Sequence, residues 1–137
     1  MDHPRRFSAF LTKGSDPSIA TRQALKFARE FLPESNLDQR GKVKIAIIVE
    51  ELVSNAFRHG GHERDVSMAL SLAAHEGFVA LEMEDDAPAF DPTDKAAFIG
   101  PDPLTGGGIG LAIVRAWGED LRYWREGQRN IVRLVIR

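Results

Sequence analysis

The sequence predicts a two-layer α/β sandwich of the α+β kind, a mainly antiparallel mixed sheet with helices packed on one face. Three observations predict it. Two stretches in the first half carry apolar residues at helical spacing, residues 66–83 alternate with a period of two around a tight turn, and a second strand-like pair closes the chain at 121–136. The order strand, helix, helix, hairpin, loop, helix, hairpin suits helices stacked on an antiparallel sheet.

Residues 7–12 read as a short opening strand. Asp16, Pro17 and Ser18 then give a cap-like start to an amphipathic helix, Ser18–Phe31, with Ile19, Ala24, Leu25, Phe27, Ala28 and Phe31 on its apolar face. The polar stretch 33–41 is a loop. A second helix over 42–59 stops at Gly60 and Gly61, a plausible C-cap. Val66, Met68, Leu70 and Leu72 alternate with smaller or polar residues, His75-Glu76-Gly77 turns the chain, and 78–83 repeat the alternation up to the carboxylates Asp85 and Asp86. Residues 87–105 hold four of the seven prolines and read as irregular, whereas 108–117 resume a helical pattern that Gly118 ends. Strands over 121–124 and 131–136 flank a polar turn at 125–130.

At 137 residues and 43 % hydrophobic content, the chain fits one domain, 1–137, whose core needs no metal or disulfide staple. The formal charge is −2, so no basic field advertises nucleic acid or an anionic membrane surface. The absence of cysteine excludes disulfides, thiolate zinc sites and cysteine nucleophiles, and fits a reducing cytosol. Neither the first residues, MDHPRRFSAFLTKG, nor any later run approaches the roughly 20 apolar residues of a membrane span. A soluble, cytoplasmic protein is expected, with neither nucleic acid nor membrane as a direct partner.

The chemistry concentrates in three places. In the second helix Ile45, Ile48, Val49, Leu52, Val53 and Ala56 form the apolar stripe, while Glu51, Asn55, Arg58 and His59 project from the adjacent face. The i, i+4 spacing of Glu51 and Asn55 puts a carboxylate base beside an amide oxygen suited to a hard cation such as Mg²⁺. Glu50 points about 100° away. Taken alone, such a pair is what any solvated helix face carries, and His59 equally suits the helix C-terminal dipole. Two further motifs raise its weight. Asp85 ends an apolar strand, where a carboxylate can accept from an exocyclic amine such as that of adenine. Gly106, Gly107, Gly108, Ile109, Gly110 and Leu111 open a helix, where glycines let backbone N–H groups approach an anion. No Gly-x-x-x-x-Gly-Lys-Ser/Thr run is present, and the glycine run lacks the βαβ context of a dinucleotide site. Trp117 and Trp124 read as packing residues.

In order, EELVSNAFRHG, MEDDAPAFDP and GGGIGLAIVRAWGEDL resemble the N, G1 and G2 boxes of the GHKL ATPase superfamily, which has the Bergerat ATP-binding fold. Across nearly the whole chain the short form is most similar to the bacterial anti-sigma-factor serine/threonine kinases. The resemblance implies Glu51 as general base, Asn55 as Mg²⁺ ligand and Asp85 as the carboxylate on the adenine amino group. Arg58, His59, Ala87, Phe90, Ile109 and Leu111 would join the ATP site, and Gly106, Gly107, Gly108 and Gly110 the phosphate-facing turn of the ATP lid. Phe90-Asp91-Pro92 is typical of the anti-sigma branch, and Arg22 sits where such proteins present an arginine to protein partners. One departure stands out. Histidine-kinase G1 boxes usually have glycine where Ala87 and Ala89 stand, and alanine permits fewer backbone conformations.

The resemblance implies an ATP-dependent kinase with ATP and Mg²⁺ in its site. It would phosphorylate a serine or threonine of a STAS-domain anti-anti-sigma protein, sequester a sigma factor in a partner-switching system, and act as a homodimer. The alternatives are a sequestering module that holds ATP without catalysis, or a detached histidine-kinase ATP domain, to which GIGLAIVRA is very similar.

Overall fold

The amphipathic stretches do become the helical layer. The computed structural model describes residues 3–60, 64–93 and 109–137. The elements are β1 (Arg5–Leu11), α1 (Ser18–Phe31), α2 (Gln39–Gly60), β2 (Val66–His75), β3 (Phe78–Asp85), α3 (Ile109–Trp117), β4 (Glu119–Glu126) and β5 (Arg129–Ile136), with a short 3₁₀ turn, Leu32–Glu34, in the loop between α1 and α2. Among the described residues no helix is long and apolar enough to cross a membrane.

Local hydrogen bonds and turn conformations set where the elements begin and end. Asp16 accepts the Ser18 amide at 2.9 Å and the Ser18 hydroxyl at 2.9 Å, so α1 starts where expected. Those bonds, the backbone one first, hold the Asp16 carboxyl below its ordinary range. Asp38 accepts the Gly41 amide at 2.9 Å, an N-cap that begins α2 at Gln39 rather than at Lys42. At the other end of the chain, Gly127 takes a φ of 59°, which closes the last hairpin tightly and lengthens both of its strands.

The five strands run β1-β2-β3-β5-β4, and every adjacent pair is antiparallel. The expected mixed sheet is therefore purely antiparallel. The first connection shows why: Leu11 pairs with Val66, so α1 and α2 in succession return the chain to the end at which β1 left it, and β2 must run back. Alternation then sends Val66, Met68, Leu70 and Leu72 of β2, Val79, Leu81 and Met83 of β3, and Val132, Leu134 and Ile136 of β5 to one side, where all are buried with the α2 stripe and Phe57. On the opposite face Arg6 and Arg129 both reach Glu84, at 2.8 and 3.4 Å, and Arg133 pairs with Glu82 while stacking over Trp124. These long side chains flank Ala69 and Ile131, which stay buried on the helix-free face.

Candidate functional site

The site follows from where β3 ends. Inward parity leaves Asp85 as its last inward residue, and the antiparallel register sets Asn130 of β5 directly opposite. α2 crosses above them. Leu52, Asn55 and Ala56 from α2, Met83 and Asp85 from β3, Asn130 and Val132 from β5, and Ala87, Pro88, Phe90 and Pro92 from the loop after β3 line a pocket enclosing about 30 Å³. That is room for about two waters.

Asp85 is 8 % exposed. Its Oδ1 accepts the Ala87 amide at 3.0 Å and the Asn130 side-chain amide at 2.9 Å. Its Oδ2 takes no hydrogen bond from the described residues, and none of their buried side-chain oxygens is unpartnered, so Oδ2 remains open on the pocket. Desolvation pushes the carboxyl up, against the smaller pull of the Asn130 and Ala87 hydrogen bonds. The neighbouring carboxylate does something else. Asp86 accepts the Ser67 amide at 2.8 Å and its hydroxyl at 3.3 Å, tying the end of β3 to the start of β2.

Ala87 is buried, and neither it nor Ala89 has a positive φ. At these two positions the loop beneath the pocket thus takes conformations that alanine adopts without strain. Asp91 accepts both the amide and the hydroxyl of Thr93, at 2.8 and 2.6 Å, and turns the chain just after Phe90.

Of the polar N-box side chains among the described residues, Asn55 alone reaches the lining. Its half-buried side chain makes no hydrogen bond among the described residues, leaving an amide oxygen free for a cation. Glu51 stands one turn earlier, half-buried and likewise without a hydrogen bond or ion pair. Desolvation, then the charge of Glu50, pushes its carboxyl up, and Arg58 opposes this from a distance. Arg58 itself is exposed and donates to Ser54 at 3.2 Å rather than lining the pocket. Gly110 and Leu111 are buried in α3, Gly110 against Glu51. Arg22 is exposed on α1. Gly106, Gly107 and Gly108 lie outside the described residues, as do the side chains of His59 and Ile109. Among the described residues no cluster of three His, Cys, Asp or Glu side chains forms a metal cage. A Mg²⁺ ion here would rely on Asn55, on the phosphates of a nucleotide and on water, since this ion usually keeps several waters.

Residues 15–136 match the family described as the histidine kinase-like ATPase domain. The chain belongs to this family. It is an ATP-binding domain of the GHKL type. Among curated proteins none matches the chain. Among solved structures it is similar to the Acinetobacter baumannii histidine kinase AdeS, with 20% identity, a TM-score of 0.52, and coverage of 96% of this chain and 68% of that one. At that identity the likeness concerns the fold.

The ATPase domain also contains site residues that the sequence did not single out. The Asn130 amide donates to Asp85 Oδ1, to the Ala87 carbonyl at 3.0 Å and to the Pro88 carbonyl at 3.1 Å. Its oxygen accepts from Tyr123 at 2.6 Å and from Arg125 at 2.8 Å. Two donors on one side and carbonyls on the other fix the amide orientation, so Asn130 clamps the pocket loop to β5. The available signal was parity: Asn130, Val132, Leu134 and Ile136 alternate, and a polar residue at a buried position asks for partners. Asn130→Ala should lower stability by roughly 2–3 kcal/mol, because it strands buried acceptors. Tyr123→Phe, which removes one donor, should cost about 1 kcal/mol. Urea unfolding of the two variants checks the ranking, and equal midpoints for both would contradict the clamp.

Proposed function

We propose that this ATPase domain is a serine/threonine protein kinase that transfers the γ-phosphoryl group of Mg-ATP to a STAS-type anti-anti-sigma protein. It acts in the cytoplasm as an anti-sigma factor. The observation that carries the nucleotide part is Asp85: a buried carboxylate with one oxygen engaged by the protein and the other open on an apolar pocket, the arrangement that reads an exocyclic amine. Met83, Leu52 and Val132 supply the apolar walls for a purine ring. Asn55, whose side chain makes no hydrogen bond among the described residues, would offer its amide oxygen to the metal. A Mg²⁺ ion held there by Asn55 would supply positive charge against the phosphates.

Glu51 is suited to the base because it has no polar partner among the described residues, is partly desolvated and stands one helical turn from Asn55. Its raised proton affinity favours taking the proton of a serine or threonine hydroxyl as attack proceeds. The anti-sigma assignment draws on the three boxes together with Phe90-Asp91-Pro92. Arg22, exposed on α1, supports a protein-facing role for that helix, and a homodimer is part of the same reading.

The test is incubation of the protein with radiolabelled Mg-ATP and the STAS-type proteins of its own genome. Label on a serine or threonine is the expected result. ATP binding without transfer would favour the non-catalytic sequestering module, and label only on a histidine acceptor would favour a detached histidine-kinase domain.

A further inference from the structure

Among the described residues Glu51 makes no hydrogen bond or ion pair, so none of them fixes its carboxylate by a polar contact. What bounds it is the backbone of α3. A Cβ built on Gly110 would overlap Oε2 and Cδ of Glu51 and stand 2.9 Å from Cγ. Position 110 does not need glycine for its own conformation: its φ is not left-handed, and alanine is the better residue inside a helix. Nor is α3 free to back away. Leu111 and Val114 are buried, Arg115 donates to the Pro92 carbonyl at 3.0 Å, and Gly118 closes the helix on Val114 at 2.8 Å. The terminal carboxylate of a long side chain is the part that would yield.

We infer that Gly110 is a positioning residue for Glu51: its missing side chain lets α3 pack directly on the carboxylate and hold it in place. The consequence for catalysis rests on the reading of Glu51 as base, but the packing itself does not. A glycine at this point of the chain thereby has a task separate from approach to phosphate.

Gly110→Ala in the full chain is the test, compared with Glu51→Gln and the double variant. Expected are a melting temperature within about 3 °C of the parent, since one exposed-going side chain moves and the helix gains a better former, and a transfer rate about 10²-fold lower. The double variant should be no slower than Glu51→Gln alone. In ¹³C spectra of side-chain carboxyls, the resonance that disappears in Glu51→Gln should shift in Gly110→Ala. Additive losses, or an unmoved Glu51 resonance, would overturn the inference. If Glu51→Gln transfers phosphate at the parental rate, the base assignment fails while the carboxyl resonance still decides the packing. Should Gly110→Ala fail to fold, the same change combined with Glu51→Ala replaces it, and only recovery of the fold supports the overlap.

Discussion

Asp85→Asn is expected to weaken Mg-ATP binding roughly 30–150-fold, equivalent to about 2–3 kcal/mol, while leaving the fold intact. Asparagine keeps an acceptor for the Ala87 amide and for Asn130, so the loop clamp survives. What changes is the atom open on the pocket, which becomes an N–H₂ donor facing the amine that the carboxylate would accept. Stability should move the other way. Because burial raises the folded pKa of Asp85, the ionised carboxylate works against folding. That penalty is absent below the pKa of the unfolded carboxyl and grows as pH rises through the folded value. Near neutral pH the Asn variant should therefore unfold at an equal or higher urea midpoint than the parent, and its advantage should shrink as the solution is acidified. A variant that binds Mg-ATP as the parent does would remove Asp85 from the site.

Glu51→Gln should slow phosphoryl transfer by about 10²–10⁴ while changing the Kd for Mg-ATP only a few-fold. The amide keeps the shape of the side chain against Gly110 and loses the ability to take a proton. The raised proton affinity of Glu51 also predicts the pH dependence. Activity depends on the ionised carboxylate, so it should fall as pH drops through a value above the ordinary glutamate range, and the residual activity of the variant should lack that acid limb. Stopped time courses across pH, with saturating acceptor, measure both effects. Parental rates in the variant would mean that the base lies elsewhere.

The helical stripe of α2 and the alternation of β2 and β3 were legible because burial imposes a period, and Asp85 was legible because it ends such a strand. The α2 boundary was missed because a single side chain, Asp38, sets it through one hydrogen bond. Asn130 was missed for a different reason. Its partner Asp85 lies 45 residues away, and residues 125–130 carry the polar composition of a turn, which hid the start of β5. The contact between Gly110 and Glu51 depends on how α3 packs on α2, something no local pattern contains. Arg58 shows the other limit of local pattern: helical spacing sets its backbone position, whereas only the structure shows its long side chain donating to Ser54 at the surface.

The most direct measurement is a titration of the intact chain with Mg-ATP and with Mg-inosine triphosphate, whose ring carries a carbonyl in place of the adenine amine. If Asp85 Oδ2 reads that amine, ATP should bind tighter by roughly 10–100-fold, since the analogue leaves a buried acceptor facing another. Equal affinities for the two nucleotides would contradict the account.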